Sequence, residues 1–382
     1  MTSVRHRPSS VYLSREISNE SGGVGSVLSL SPFMLKYLIV ACLTLVLITC
    51  APASDLKPES EKTNEIKART IEISARTRET PPNFKVAFIG DAGISTSAKA
   101  VLNLIRDEDA DMVLHQGDLW YDSESDPQLV IDFERQVNDV LGEDFPYFAS
   151  IGNHDVELWP FYQEELKARI SRIPGAQCVS EGNGLGVKSS CTYAGLSFLL
   201  LGPGTLDSGF DTYIRNELAR SDSIWRICSW HKNQRSLQIG GRSSQVGWAP
   251  YERCREGSAI IATGHEHSYE RTKTLTRMES KTVDAIWSGA DDLRVGNGSS
   301  FVFVSGLGGA SARSQQRCFP EIPPFGCSGE WASIYTSLQN ATQGALFIEF
   351  NVDGDPRKAT GYFKSVDQVI IDTFSVTADV SN

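Results

Sequence analysis

The chain has 382 residues, enough for one large domain or two small ones, and a globular composition with 40% hydrophobic and 22% charged residues. Its formal net charge of −11 at pH 7 excludes a protein that binds along a nucleic-acid backbone, because that function needs a basic surface. Small anionic substrates stay compatible with this charge, since bound metal cations can reverse the local sign of the field.

The N-terminal extension, residues 1–53, is predicted to carry an export signal. The apolar run at 37–48 is too short for a membrane span of about 20 residues and fits the hydrophobic region of a signal peptide, with translation starting at Met34. Residues 47–50 also resemble a bacterial lipoprotein processing site, although Thr49 departs from the usual small residue. We therefore expect an exported protein, periplasmic or extracellular, with lipid attachment to a membrane through Cys50 as an open alternative.

Residues 54–82 are charged and polar, and they are predicted to form a tether. The following region shows neither an internal repeat nor a linker. We therefore expect one folded domain at 83–376, followed by a short tail at 377–382.

Short apolar runs alternate with helical patterns from residue 84 onward. Strands are predicted at 84–89, 111–114 and 147–151, and helices at 96–108, 129–141 and 158–170. Pro127 stands where the second helix can start, and Gly142 stands where it can stop. Further strands are predicted at 197–201, 224–230, 259–262 and 301–304, then a hairpin of 345–352 with 358–364 and a last strand near 369–374. This order predicts an α/β protein with mixed sheets.

Six of the eight cysteines follow the tether, and their even number in an exported chain predicts three disulfides. The spacings favour the pairs Cys178–Cys191, Cys318–Cys327 and Cys228–Cys254, although spacing alone does not fix the pairing. The sequence contains no Cys-x-x-Cys pair, so a zinc site built from thiolates is not expected.

Polar side chains follow five of the predicted strands at the point where each strand ends. They are Asp91, Asp118, Asn153 with His154, His231, and His265 with His267. Ligands of open α/β sheets gather outside the carboxyl ends of strands, so we expect these side chains to meet at one site. Four of the six histidines belong to this set, and chance placement does not explain that; the other two are His6 and His115.

This mixture of carboxylate, amide and imidazole groups suits divalent and trivalent first-row metals. Asp118 has two oxygens with which it can bridge two ions. Two ions roughly 3.5–4 Å apart can clamp the attacking and leaving oxygens of a phosphoryl displacement and turn a bound water into hydroxide. Histidines also bind metal in structural sites, but oxygen-rich ligands from separate strands favour an open catalytic site.

The chain resembles the calcineurin-like metallophosphoesterases and, within them, the purple acid phosphatases. The resemblance rests on five blocks in order: GDAG at 90–93, GDLWY at 117–121, GNHD at 152–155, CSWH at 228–231 and GHEHSYER at 264–271. Only the fourth block is loose, because Cys228 stands where the family usually has Val. The implied fold is two packed mixed β-sheets flanked by helices, a four-layer sandwich with the metals at one end.

Carried over by position, the resemblance implies two metal sites that share Asp118. The first ion takes Asp91, Asp118, Tyr121 and His267, and the second takes Asp118, Asn153, His231 and His265. Many relatives outside the purple group have Asp-x-His in the first block, where this chain has Gly93; Tyr121 is what the purple group uses instead. The expected cofactors are Fe(III) in the first site and Fe, Zn or Mn in the second.

The implied activity is acid phosphatase-like hydrolysis of a small phosphorylated substrate, by in-line attack of hydroxide held on the metals. His154 is expected to contact a phosphate oxygen or to protonate the leaving group, and Asp155 to orient His154 or hold its proton. A turn role is the alternative for Asp155. Tyr269 and Arg271 can contact substrate, but packing roles are favoured for them. The Gly-rich segment 305–310 lacks the ending of a phosphate-binding loop and is expected to be a turn near the site.

Three questions stay open at this stage. The same metal centre also suits a phosphodiesterase or nucleotidase, since substrate choice depends on loops. An inactive binding relative is a second alternative, which the intact ligand set disfavours. No nucleic-acid partner is expected, and the sequence does not indicate the oligomeric state.

Overall fold

The computed structural model describes residues 79–121 and 126–380. The predicted export signal, Cys50, nearly all of the tether and residues 381–382 lie outside the described residues, so export and lipidation stay predictions. Within the described ranges, no helix is both long and apolar enough to cross a membrane.

The described residues form seventeen strands, five α-helices and three short 3-10 helices. The strands are β1 (Phe84–Ile89), β2 (Met112–His115), β3 (Tyr147–Ala149), β4 (Gln177–Ser180), β5 (Lys188–Tyr193), β6 (Leu196–Leu201), β7 (Arg226–Ser229), β8 (Ala259–Thr263), β9 (Tyr269–Thr272), β10 (Leu275–Arg277), β11 (Thr282–Val283), β12 (Asp292–Val295), β13 (Val302–Ser305), β14 (Trp331–Tyr335), β15 (Gly344–Phe350), β16 (Lys358–Ser365) and β17 (Ile370–Ala378). The α-helices are α1 (Thr96–Asp107), α2 (Gln128–Leu141), α3 (Trp159–Arg172), α4 (Phe210–Arg220) and α5 (Trp248–Glu256). The 3-10 helices are Arg235–Leu237, Ser337–Gln339 and Val352–Gly354.

Two large mixed sheets carry the fold. Sheet A has the strand order β12-β17-β16-β15-β1-β2-β3, and sheet B has the order β14-β9-β13-β8-β7-β6-β5-β4. In sheet A the neighbours β1, β2 and β3 are parallel, and in sheet B the neighbours β6, β7, β8 and β13 are parallel. Parallel strands end at one edge of their sheet, so each sheet has one edge that can carry a site.

The two sheets pack face to face, because apolar side chains from both fill one shared core. Aromatic pairs across the interface include Phe88 with Phe303 and Phe148 with Phe198, with ring centroids 5.1 and 4.8 Å apart. Helix α1 packs on α2 and β15 outside sheet A, and α3 packs on β3. Helices α4 and α5 pack outside sheet B. The expected sandwich of two mixed sheets flanked by helices is confirmed.

The first three strands and the first three helices predicted from the sequence agree closely with the structure. Helix α1 begins after Ser95, whose side chain accepts a hydrogen bond from the Ala98 N–H, a typical helix cap. Helix α2 follows Pro127 and stops at Gly142, which has a φ of 100° and so suits glycine. The hairpin of β15 and β16 is antiparallel, as expected. The last strand, β17, runs to Ala378, past the predicted domain end, because its pairing with β12 continues to that residue.

All three predicted disulfides are present. Cys178 and Cys191 face each other in register between β4 and β5. The Cys228–Cys254 bond joins β7 to α5, and the Cys318–Cys327 bond closes a loop between β13 and β14. Disulfides are typical of extracellular or secreted proteins.

Candidate metal centre

The polar side chains after the parallel strands meet at one end of the sandwich. Sheet A supplies Asp91, Asp118 and Asn153 from the ends of β1, β2 and β3. Sheet B supplies His231 from the end of β7 and the pair His265 and His267 from the end of β8. The predicted convergence is therefore present, and both sheets take part in it, while metal binding itself stays a prediction.

The first cluster joins Asp91, Tyr121 and His267. The Tyr121 hydroxyl donates a hydrogen bond of 2.8 Å to Asp91 Oδ1 and lies 3.3 Å from His267 Nε2. His267 Nε2 is 3.4 Å from Asp91 Oδ1. A carboxylate oxygen, a phenol oxygen and an imidazole nitrogen thus lie within 3.4 Å of one another, and all three are metal donors.

The second cluster joins Asp118, His231 and His265. Asp118 Oδ2 is 3.1 Å from His231 Nε2, which is 2.9 Å from His265 Nδ1. Asn153 Oδ1 and His265 Nε2 are among the buried polar atoms that lack a hydrogen-bond partner in the described part of the chain. An unpaired buried polar atom costs free energy, so each calls for a further partner such as a cation. The donor set therefore fits a metal.

Backbone carbonyls fix the tautomers of two histidines. His231 Nδ1 lies 2.8 Å from the Gln116 carbonyl oxygen, and His267 Nδ1 lies 3.2 Å from the Ser311 carbonyl oxygen. A carbonyl only accepts, so in both rings Nδ1 carries the proton and donates it. This leaves Nε2 of each ring facing a carboxylate, where it can hold either a proton or a metal ion, an orientation typical of metal-binding histidines.

The backbone is bent sharply where the ligands stand. Asp91, Asp118 and His265 have φ values of 60°, 56° and 69°, which non-glycine residues seldom adopt. Such conformations concentrate at functional sites, where the surroundings enforce them. Gly152 is required here, because a Cβ at that position would lie 2.0 Å from the Asp118 nitrogen.

Buried charges shift the pKa values of the site. Burial alone would raise the pKa of Asp91, but the hydrogen bond with His267 and the charge of His231 hold it well below its usual range. Burial lowers the pKa of His265 to about 2. For His231, burial is outweighed mainly by Asp118, and its pKa rises to about 9. The two carboxylates therefore favour positive charge between them, whether a proton or a metal ion.

Tyr121 stays a neutral phenol unless a nearby cation offsets the effects of burial and of the two carboxylates. Burial, followed by the charges of Asp91 and Asp118, raises the pKa of Tyr121 well above 10. A metal ion beside the phenol oxygen would oppose these effects, since a nearby positive charge favours the anionic form of an acid.

His154 and Asp155 occupy different depths of the site. The His154 side chain is exposed, and its ring lies 4.9 Å from the Tyr121 ring. The backbone N–H of His154 donates to Asp118 Oδ1 at 3.0 Å. Asp155 is buried beneath the loops, where its carboxylate accepts hydrogen bonds from three backbone N–H groups. These belong to Asp118, Leu119 and Gly152, at 2.9, 2.8 and 2.7 Å.

Several residues that shape the centre were not predicted from the sequence. Asn233 donates from its side chain to the Gly264 carbonyl, and Arg313 donates to the His265 carbonyl at 2.8 Å. Glu266, between the two histidines, is buried. Burial lowers the pKa of Lys232, and the charge of Arg242 lowers it further. Only Glu266 and Lys232 adjoin predicted ligands in the sequence; the others come close through folding.

Tyr269 and Arg271 have the packing roles that were favoured for them. Both are fully buried between the sheets, where the Tyr269 hydroxyl and the Arg271 guanidinium donate to Asp372 on β17. The Gly-rich segment 305–310 is a turn beside the site, since the Gly308 N–H donates to the Gly90 carbonyl. His115 lies in the core, where burial lowers its pKa to about 3.

Comparison with known protein families identifies one matching family model, described as calcineurin-like phosphoesterase, over residues 84–269. Purple acid phosphatase 18 of Arabidopsis thaliana is 28% identical over 223 residues, which cover 53% of this chain and 48% of that protein. Purple acid phosphatase 21 of the same plant is 25% identical over 233 residues, which cover 58% of this chain and 52% of that protein. The chain thus spans about half the length of the curated relatives it matches.

Solved structures show the same fold. The purple acid phosphatase PPD1 from yellow lupin (Lupinus luteus) seeds superposes with a TM-score of 0.59 at 17% identity, covering 78% of this chain and 55% of that chain. GAP50, described as the anchor in the inner membrane complex of Plasmodium, has a TM-score of 0.50 at 13% identity and covers 78% and 91%. One fold thus occurs in a phosphatase and in an anchor, so function has to be argued from the site.

Proposed function

We propose that this protein is a dinuclear-metal phosphomonoesterase, because residues 84–269 match the model of the calcineurin-like phosphoesterase family and the chain is similar to the purple acid phosphatases. The observation that carries the proposal is the pair of donor clusters at the shared end of the two sheets. Two of their histidines direct Nε2 at a carboxylate, and Asn153 Oδ1 and His265 Nε2 lack hydrogen-bond partners among the described residues.

The proposed ligands divide between the clusters. Asp91, Tyr121 and His267 hold the first ion, and Asn153, His231 and His265 hold the second. Asp118 is assigned to both. When bound, the metal pair supplies an activated water molecule and neutralises the charge of the phosphate. A phenol oxygen and carboxylates suit a hard trivalent ion such as Fe(III) in the first site, with Fe, Zn or Mn in the second.

His154 and Asp155 have the remaining roles, which are to contact the substrate and to position the loops of the site. His154 is exposed at the mouth of the site beside Tyr121, where it can contact a phosphate oxygen or give a proton to the leaving group. Asp155 acts as a positioning residue, since its carboxylate ties the loop of Asp118 to the loop of Asn153 through three backbone N–H groups. Each such hydrogen bond to a charged group stabilises the arrangement by about 1.5–3 kcal/mol.

Metal analysis of the purified protein together with a generic phosphomonoester assay tests the function. We expect two ions per chain and turnover that chelation removes and metal restores. An Asp118→Asn variant should lose metal and most of its activity while it keeps its fold. Two tightly held ions without hydrolysis of a monoester or a diester would contradict the proposal and favour an inactive binding relative.

Export is proposed on separate grounds. Three disulfides favour an extracellular or secreted protein. The apolar run at 37–48 favours cleavage near Cys50. Mass spectrometry of the native protein should show either a lipid-modified Cys50 at the N-terminus or a soluble terminus near Ala53. An intact Met1 in a cytosolic fraction would be inconsistent with this proposal.

A further inference from the structure

Two arginine side chains flank a buried carboxylate at the rim of the metal centre. Arg242 Nε and Arg313 Nη1 lie 3.8 and 3.9 Å from Glu266 Oε2. Glu266 is buried, whereas 38% and 34% of the two arginine side chains are exposed. Since Glu266 stands between His265 and His267, the two guanidinium groups are held next to the proposed ligands and also face solvent.

The Glu266 carboxylate does not form a hydrogen bond with either guanidinium group. Distances of 3.8 and 3.9 Å are too long for hydrogen bonds. Glu266 Oε2 and Arg242 Nε both lack hydrogen-bond partners within the described part of the chain. One carboxylate charge between two guanidinium groups leaves a net charge of +1, and the planar guanidinium fork matches carboxylate and phosphate oxygens.

A third cation stands next to a proposed ligand in the sequence. Lys232 follows His231 directly and is half-buried, and its ammonium group donates to the Gly204 carbonyl at 3.0 Å. An ammonium group has three donors, so this bond leaves donors for another acceptor. Three cations thus lie beside one centre in a chain whose formal charge is −11.

We propose that Lys232, Arg242 and Arg313 form a subsite for an anionic group on the leaving portion of the substrate, a carboxylate or a second phosphate. This subsite rests on the proposed phosphoesterase function and specifies its substrate class. The metal pair would neutralise the charge of the reacting phosphate. Cations that lie beyond the metal ligands therefore recognise a further negative group. Substrates with a neutral leaving group lack this interaction.

Binding of non-hydrolysable phosphonates to the metal-loaded protein provides the test. Calorimetry should compare 2-carboxyethylphosphonate and 4-carboxybenzylphosphonate with their neutral amides, which have nearly the same shape. We expect the carboxylate to bind about fivefold more tightly than its amide at one or both lengths, the ratio typical of a partly exposed ion pair. Arg242→Gln or Lys232→Gln should remove most of this preference and leave the Kd of the amide unchanged.

Arg220→Gln is the matched control. It removes the same charge from the exposed end of α4, which leads into the beginning of β7, at the edge of sheet B opposite the centre. This variant should keep the preference for the carboxylate. Equal affinity of the native protein for acid and amide at both lengths, or an equal loss for both ligands in Arg242→Gln, would overturn the subsite.

Kinetics on the corresponding phosphate esters separates the two proposals. With the subsite present, Arg242→Gln should raise KM for the carboxylated ester alone and leave kcat unchanged. If the native protein prefers the carboxylated phosphonate but hydrolyses no ester, the phosphoesterase function fails and the subsite stands. If it hydrolyses esters without a preference in binding or KM, the phosphoesterase function stands and the subsite fails.

Discussion

Gly93 and Tyr121 depend on each other at the scale of single residues. Gly93 has a φ of 71°, and a Cβ there would lie 3.2 Å from the Tyr121 ring. A larger residue at position 93 would press against the ring that brings the phenol oxygen to Asp91. The glycine at this position and the placement of the Tyr121 phenol beside Asp91 are therefore one structural arrangement, which makes Tyr121 the distinctive residue of the proposed first site.

Tyr121→Phe tests the phenol as an iron ligand. Phenolate-to-Fe(III) charge transfer absorbs visible light, so the iron-loaded native protein should be coloured and the variant bleached. Some hydrolysis should survive, because the other donors remain. The readouts are the visible spectrum and the metal content of both proteins. A colourless, fully active iron-loaded native protein would contradict the assignment and leave Tyr121 as a packing residue beside Trp120.

His154→Ala tests the group at the mouth of the site. Its side chain lies outside both donor clusters, so metal content should stay at two ions. Turnover should fall by roughly 10²–10⁴ if His154 protonates the leaving group. The loss should shrink for esters with good leaving groups, because these need less protonation. Equal losses for good and poor leaving groups would indicate phosphate binding instead.

The sequence predicts where the site residues stand and misses what supports them. Each predicted donor follows a strand, and the end of a strand is readable from a short apolar run. Asp155 was recognised, but not its hydrogen bonds to three backbone N–H groups, because these depend on how two loops pack. Arg313 is 46 residues beyond His267 in the chain, and no local pattern indicates their contact.

Elements of secondary structure were predictable where their apolar pattern is strong. The core strands β6 and β8 consist of buried residues, β1 is buried except at Lys85, and all three were predicted. The hairpin of β4 and β5 was missed because it is polar, and three of the four residues in β4 are exposed. Helices α4 and α5 were missed as well, since each buries only a few residues against sheet B.

The Cys228–Cys254 bond fastens α5 to a strand that carries a proposed ligand. It closes a separation of 26 residues, for which chain entropy predicts a stabilisation of about 3.5 kcal/mol. Replacing both cysteines by alanine should lower the free energy of unfolding by about that amount. Metal content should persist, because β7 is paired on both sides and the Gln116 carbonyl holds His231. Denaturant unfolding and metal analysis are the two measurements.

The Cys178–Cys191 pair gives the control for this prediction. It spans 13 residues between two strands at the far edge of sheet B and touches neither donor cluster. Its removal should cost about 3 kcal/mol and leave both ions in place. If the second ion is lost when Cys228 and Cys254 are replaced but not when Cys178 and Cys191 are, the Cys228–Cys254 bond also positions His231.

At the largest scale, the described residues form a sandwich whose two sheets share one core and one candidate centre. The fold class follows from the alternation of strands and helices, but the strand order does not. Strand β15, near the C-terminus, pairs with β1 in the middle of sheet A, and β12 pairs with β17 at its edge. Such long-range pairings are set by packing and have no local signal in the sequence.

Because each sheet supplies donors to the centre, bound metal should stabilise the sandwich as a whole. The donor clusters combine Asp91 and Asp118 from sheet A with three histidines from sheet B, so an ion binds the folded state and has no comparable site in the unfolded chain. A ligand present at 100 times its Kd stabilises by about 2.7 kcal/mol, which raises Tm by roughly 4 °C in a domain of this size. Chelation should lower Tm by this amount, and added metal should restore it. The Asp118→Asn variant should show a much smaller shift, because it loses a ligand assigned to both ions. An equal response of the native protein and this variant to chelation would place the stabilising ion elsewhere, and differential scanning calorimetry with and without chelator decides between these outcomes.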